Sequence, residues 1–307
     1  MTSDIAIENR KSTNGRSIDE MVPRITRGMT MMGAVIRGVD RVSPALGARV
    51  AARIFLSPRR ARLPERERAW LGSATPEVFV ADRFRLSGHR WSSSGEPVLL
   101  VHGWEGRGSQ LGGLALAIAA QGYQPITVDL PAHGASKGAQ TNLIEFSRAV
   151  TAMVAHLGGV AGIVAHSFGA AGTTIALQAA LPVGRVVYLA PSEDFDHFPR
   201  FFGKMLGLPR PLTGRMQLAI ETGLGKTMSE LRGSKLASGM TAPLLIVHDE
   251  DDTDVPWRDG KTYSEVWPGA TLMTTRGYGH RRILREPDVL KAVAEFFKTA
   301  EPKGATK

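Results

Sequence analysis

From about residue 77 the chain alternates short runs of Val, Ile and Leu with longer stretches in which apolar residues recur at helical spacing. The apolar runs are VFVADRFRL (78–86), PVLLVHG (97–103), PITVDL (125–130), AGIVAHS (161–167) and RVVYLA (185–190), with helical patterns over 109–121, 141–157 and 169–181 between them. Such alternation predicts βαβ units, and hence an α/β fold with a mostly parallel central sheet flanked by helices. Residues 191–241 carry no clear strand and read as an insertion. PLLIVHD (243–249), a helix over 257–267, ATLMTTRG (270–277) and a last helix over 287–299 then resume the pattern. The core is therefore expected at 76–190 and 242–300, with residues 1–75 as an extension in front of it. No repeat or low-complexity segment interrupts this order.

The extension has a pattern of its own. Ile25, Met29, Met32, Ile36 and Val39 follow one another at spacings of four, three, four and three, with Arg24, Arg27, Arg37 and Arg41 mostly elsewhere. That is an amphipathic helix. A second short helix (Leu46, Val50, Ile54) follows Pro44, and SPRRARLPERER (57–68) reads as a linker. Charge is concentrated here too: of the net +9, residues 1–73 hold 14 Lys/Arg against 7 Asp/Glu, leaving 24 against 22 for the rest. Basic residues interleaved with aromatics are missing, as is a helix-turn-helix pattern, so no nucleic-acid partner is expected. The helix reads first as one packed on the parent domain, with a peripheral membrane contact or a homodimer contact as alternatives.

Two further features narrow the class. There is no cysteine, which excludes disulfides, a thiolate nucleophile and cysteine-held zinc but leaves serine chemistry open. The start, MTSDIAIENRKSTNGR, is polar where a secretory signal needs an apolar centre, so a cytoplasmic location is expected. Ala149 to Gly184 contains no Asp, Glu, Lys or Arg, yet Gly158-Gly159, the His-Ser-Phe-Gly turn and Leu181-Pro182 cut it into pieces too short to span a membrane.

Ligands of parallel α/β sheets gather at the carboxyl ends of strands. Five such ends here carry polar, glycine-rich clusters: His102-Gly103-Trp104, Asp129 to Gly134, His166-Ser167-Phe168-Gly169, His248 to Asp252, and Gly277-Tyr278-Gly279-His280. In AHSFGAAG a single serine follows a strand and precedes small residues. A nucleophilic serine needs a sharp strand-to-helix turn, and its neighbours must be small because the two backbones nearly touch.

This strand, AHSFGA, helix arrangement resembles the nucleophile elbow of the α/β-hydrolase fold, with Ala165 where the pattern G-x-S-x-G has its first glycine. The resemblance covers roughly residues 76–299 and implies a serine, acid, histidine order. His280 in RGYGHRRIL matches the family's G-x-G-H placement. HDEDDTDVP is similar to the family's H-G-x-x-D-x-x-V-P, which puts Asp252 at the acid, with Asp251 as runner-up and Asp249, Glu250 and Asp254 as surplus carboxylates of a solvated turn. The resemblance also implies an oxyanion hole from the amides of Phe168 and Trp104. DLPAHGAS (129–136) resembles a supporting loop beside the site. His102, Gly103, His166, Phe198 and Phe202 are candidate substrate contacts.

Within the insertion, which sits where the family places a cap, Phe195, Phe198, Phe201, Phe202, Met205 and Leu206 cluster. They suit a helix core, and would equally suit a hollow for an acyl chain. Pro199, Pro209 and Pro211, with Gly203, Gly207 and Gly214, argue against a large regular lid. The reading is a serine esterase of the carboxylesterase type acting on a small-molecule ester, with no cofactor and no metal. A thioesterase, a membrane-recruited lipid hydrolase and a non-catalytic binding protein of the same fold are its rivals.

Overall fold

The computed structural model describes residues 26–298. Thr26 accepts from the Met29 N–H and so caps α1 (Arg27–Val42); Ser43 caps α2 (Pro44–Phe55), which opens on a proline whose missing N–H would have had no intrahelical acceptor. A third helix, α3 (Glu65–Leu71), lies within the stretch read as a linker. The polar start of the chain, Ile25 of the amphipathic pattern and residue 299 of the last helix fall outside the described residues.

Eight strands form one sheet: β1 (Thr75–Ala81), β2 (Phe84–Arg90), β3 (Pro97–Val101), β4 (Gln124–Val128), β5 (Gly162–His166), β6 (Val186–Leu189), β7 (Leu244–Asp249) and β8 (Thr271–Thr275). Their order is β1-β2-β4-β3-β5-β6-β7-β8, antiparallel at β1/β2 and β2/β4 and parallel elsewhere. The run VFVADRFRL is therefore two strands and not one. Asp82, with φ of 49°, turns the chain between them, and a left-handed Asp leaves no break in the apolar pattern.

The helices that follow are α4 (Gly112–Ala119), α5 (Leu143–His156), α6 (Phe168–Leu177), α7 (His197–Leu206), α8 (Arg210–Leu224), α9 (Gly233–Leu236), α10 (Trp257–Val266), α11 (Gly279–Arg282) and α12 (Pro287–Lys298). Leu99, Val101, Ile163, Ala165, Tyr188 and Ile246 join the core shared with Phe146 of α5 and Tyr263 of α10. Their strand neighbours Val98, Leu100, Val164, Val187 and Val247 join the opposite core, with Leu114 of α4 and Val293 of α12. Burial on both faces explains why these strands read as unbroken apolar runs. The uncharged stretch Ala149–Gly184 is divided among α5, β5 and α6, and among the described residues no helix is long and apolar enough to cross a membrane.

The insertion folds into two longer regular helices, α7 and α8, followed by the one-turn α9. Its prolines and glycines do not disrupt these helices: Pro199 lies in the first turn of α7, Gly207 ends α7 in the left-handed conformation, Pro209 and Pro211 frame the start of α8, and Gly203 and Gly214 are accommodated within them. Gly203 is a packing position, since a Cβ there would lie 2.4 Å from Thr213 Oγ1 of the next helix.

The N-terminal helices complete this layer. Ile36, Ala48, Ala51 and Ala52 share a third core with Phe195, Leu206, Leu212, Met216 and Ile220. A Cβ on Gly33 would lie 1.8 Å from the Leu206 carbonyl oxygen, so α1 rests directly on the backbone of α7. Arg37 donates to the carbonyls of Leu206 (3.1 Å) and Gly207 (2.8 Å), and Asp40 pairs with Arg215 of α8 at 2.6 Å. In α2 the buried face is Gly47, Ala48, Ala51 and Ala52, whereas Leu46 is exposed. Of the face expected from Leu46, Val50 and Ile54, the last two pack at the margin of this core and only Leu46 points out; its centre is taken by small residues, which let two helix backbones approach closely. Gly33→Leu should lift α1 off α7 and cost about 1–3 kcal/mol, as overpacking does; a lowered denaturation midpoint, with α1 more readily cleaved by protease, would record it.

Candidate active site

β5 ends in the sheet's interior, and Ser167 begins the reversal into α6 with φ 54° and ψ −123°. Its N–H donates to the Leu189 carbonyl at 3.0 Å, so the turn is fastened to the end of β6. Small neighbours are obligatory here. A Cβ on Gly169 would stand 2.4 Å from the His102 carbonyl oxygen, and one on Gly103 would stand 2.9 Å from Ser167 Cβ.

The structure brings Ser167, His280 and Asp252 together across more than a hundred residues of chain. His280 Nε2 lies 3.0 Å from Ser167 Oγ, and His280 Nδ1 lies 2.7 Å from Asp252 Oδ2. Ser167 is 8% exposed, and the Asp252 carboxyl is wholly buried. Burial would raise the pKa of Asp252, but His280 and His248 beside it outweigh that and hold it below the usual carboxylate range. Burial also works to lower the pKa of His280, yet the charge of Asp252 and its hydrogen bond prevail, leaving it above 6.5.

The runner-up acid and its neighbours have other duties. Asp252 Oδ1 accepts from the amides of Asp254 (2.8 Å) and Val255 (2.9 Å), which fixes its rotamer. Asp249 accepts from Thr275 Oγ1 and the Tyr278 amide, and Asp251 accepts from the Gly277 amide. Glu250 pairs with Arg276, and Asp254 with Arg281 at 3.4 Å. Carboxylates read from sequence as a solvated turn therefore hold the loop that carries His280 in place.

Two candidate substrate contacts are corrected. His102 is fully buried: its Nε2 accepts from the Leu130 amide (2.9 Å), and its protonated Nδ1 donates to the Gly103 carbonyl (2.7 Å). His166 donates to the His280 carbonyl at 3.0 Å, with the two rings 4.6 Å apart, so it supports His280 from behind. His133, in the supporting loop, accepts from the Glu105 amide and donates to the Pro131 carbonyl. Burial pushes His102 down to about 4 and His133 to about 3, and holds His166 well below 6.5.

Trp104 and Phe168 sit together, rings 5.3 Å apart, and Phe168 continues to Phe195 (5.9 Å) and Phe195 to Phe198 (6.2 Å). This aromatic chain links the serine turn to α7. Phe202 packs edge-on against Phe55 of α2 at 5.3 Å. The Phe168 amide belongs to the first turn of α6, where no intrahelical acceptor exists.

Sequence reasoning missed what holds the Trp104 loop. Arg59 forms a two-pronged pair with Glu105, at 2.9 and 3.1 Å. Arg60 donates to the carbonyls of Ala132, Ser136 and Gly138. Arg107 and Glu67 form an almost fully buried pair at 2.7 Å, and Ser109 Oγ also donates to Glu67. The supposed linker is a strap over both loops. Its run of alternating charges looks solvated in sequence, and nothing local marks which charges are paired.

The family model described as the alpha/beta hydrolase family matches residues 98–293. The chain belongs to the alpha/beta hydrolase family. Similar solved structures include an esterase from Pyrococcus furiosus (19% identity, 79% of this chain and 96% of that one, TM-score 0.60). An esterase from a Rhodococcus species is also similar (19% identity, 74% and 99%, TM-score 0.56), as is a meta-cleavage product hydrolase from Pseudomonas fluorescens (17% identity, 73% and 98%, TM-score 0.56). At these identities the likeness is one of fold. A search of curated proteins finds no match. The aligned shares leave about a fifth to a quarter of this chain outside each of these hydrolases. Among the described residues, no group of three His, Asp or Glu side chains is arranged to hold a metal ion.

The strap makes a prediction. Glu67→Ala leaves the Arg107 guanidinium buried without a counter-charge and should cost about 3–5 kcal/mol, measurable by chemical denaturation. Arg59→Ala, which removes an exposed pair, should cost no more than about 1 kcal/mol.

Proposed function

We propose that the protein is a serine hydrolase that cleaves carboxylic esters through an acyl-enzyme intermediate. The observation that carries this reading is the single imidazole of His280 bridging the Ser167 hydroxyl and the buried Asp252 carboxylate, at 3.0 and 2.7 Å. A serine hydroxyl is a weak nucleophile near neutral pH until a base removes its proton. In this reading His280 Nε2 takes that proton as Oγ attacks the ester carbonyl, while Asp252 stays ionised and balances the imidazolium. The amides of Phe168 and Trp104 receive the oxyanion, a contribution of about 3 kcal/mol for each donor. The imidazolium then protonates the departing alcohol, and water, deprotonated by the same histidine, frees the acid from Ser167.

Esters are favoured over other acyl compounds by the two esterases of similar fold. A serine at the elbow fits acyl transfer, whereas epoxide-opening and dehalogenating relatives use a carboxylate there. The aromatic chain from Trp104 to Phe198 supports an apolar acyl or alcohol group rather than a charged one. Gly103 gives the substrate its approach to Oγ.

Hydrolysis of p-nitrophenyl esters of increasing chain length tests this directly. Wild type should turn them over, and Ser167→Ala should fall to background, a loss of about 10³-fold or more. Equal, slow rates for the two proteins would sink the proposal. The pH profile supplies a second check. Catalysis needs His280 neutral, and its pKa is raised above 6.5, so kcat/KM should fall as pH drops through a midpoint higher than 6.5. Asp252→Asn removes the raising influence, which should move that acid limb to lower pH and reduce kcat by about 10⁴-fold.

A further inference from the structure

Helix α1 is apolar on two opposite sides. Ile36 and Gly33 face the cap layer, while Met31, Val35 and Val42 recur at spacings of four and seven on the far side. Those three are 70%, 64% and 88% exposed. Of the nine large apolar side chains exposed among the described residues, five lie between residues 31 and 46, the others being Met32 and Leu46. Single exposed apolar residues need no explanation, but a stripe of them along one helix does.

The charges exposed on α1 and α2 have one sign. Arg27, Arg41, Arg49 and Arg53 are exposed on α1 and α2, and among the described residues none of them forms an ion pair. The one acid on the two helices, Asp40, is already paired with Arg215. On the helical wheel Arg27 and Arg41 border the Met31–Val35–Val42 stripe, which gives an apolar strip with a cationic margin.

We propose that this face of α1 and α2 docks on an anionic lipid surface, the arginines meeting headgroups and Met31, Val35 and Val42 entering the boundary of the acyl chains. Charge complementarity selects this occupant. A second copy of the chain meeting the same face would set arginine against arginine, whereas a bilayer containing anionic lipid offers negative charge above an apolar interior. The docked face of the same helix is spent on α7 and α8, so binding leaves the cap layer intact. The inference stands apart from the hydrolytic reading, because lipid binding is measured without turnover.

Co-sedimentation of the full-length protein with vesicles of phosphatidylcholine alone, and of phosphatidylcholine with phosphatidylserine, provides the test. The protein should pellet with the anionic vesicles and stay in solution with the neutral ones. Binding should weaken as salt shortens the Debye length from about 10 Å at 0.1 M. Arg41→Glu and Arg49→Glu should each lower the partition roughly fivefold or more. Val35→Asp, at an exposed position, should lower it further while the denaturation midpoint stays put. Equal pelleting with both vesicle types, no pelleting, or binding indifferent to Val35→Asp would each overturn the proposal. So would a concentration-dependent dimer that Val35→Asp dissolves, since the face would then belong to a second copy.

Discussion

Ser167 is a non-glycine residue held in the left-handed region at the end of a buried strand. Such a conformation costs on the order of 1–3 kcal/mol and persists only where the surroundings dictate it. They do so here: β5 is paired on both sides, by β3 and β6, and the Ser167 amide is fastened to Leu189. The reversal lifts Oγ clear of the sheet edge. It also forces the neighbouring backbones together, and so demands glycine at 103 and 169. The position of His280 and the aromatic path to α7 are useful only because the hydroxyl emerges at this point.

Burial then sorts the histidines. His102, His133 and His166 are enclosed, hydrogen-bonded to backbone and kept neutral, so they serve as spacers and loop fasteners. The same burial acts on His280, but there a carboxylate outweighs it. That carboxylate is fixed by two backbone amides and lies against His248, 3.5 Å away. The pKa of His280 beside the serine is thus raised, while those of His102, His133 and His166 are lowered.

The residues in front of the sheet are structurally part of this arrangement. α1 and α2 form the outer side of the cap layer, and Phe55 of α2 packs against Phe202 of α7. Residues 59–67 strap the loops of Trp104 and of His133 through arginines directed at carbonyls and through one buried ion pair. A buried ion pair adds little net stability compared with an apolar substitute, but losing one partner is expensive. The strap therefore acts mainly to specify geometry.

The strand and helix order, the serine at the turn and the histidine before the last helix were legible in the sequence, because each is written in neighbours a few positions apart. The period of apolar residues, the small residues after Ser167 and the Gly-x-Gly-His string are local facts with local causes. The hairpin at Asp82 escaped, since a left-handed Asp interrupts no apolar pattern, and so did the regular helices of the insertion, whose prolines fall at a cap or in a first turn, where they break nothing. Asp252 was legible as well, through the spelling HDEDDTDVP shares with the family, and it is the carboxylate that meets His280. Tertiary structure alone decided that His102 is internal, that Arg60 grips a loop more than seventy residues away, and that α2 buries alanines while Leu46 faces out. Each of those outcomes depends on backbones brought together from distant parts of the chain, and the desolvation and hydrogen-bond partners that result have no signature in the residues on either side.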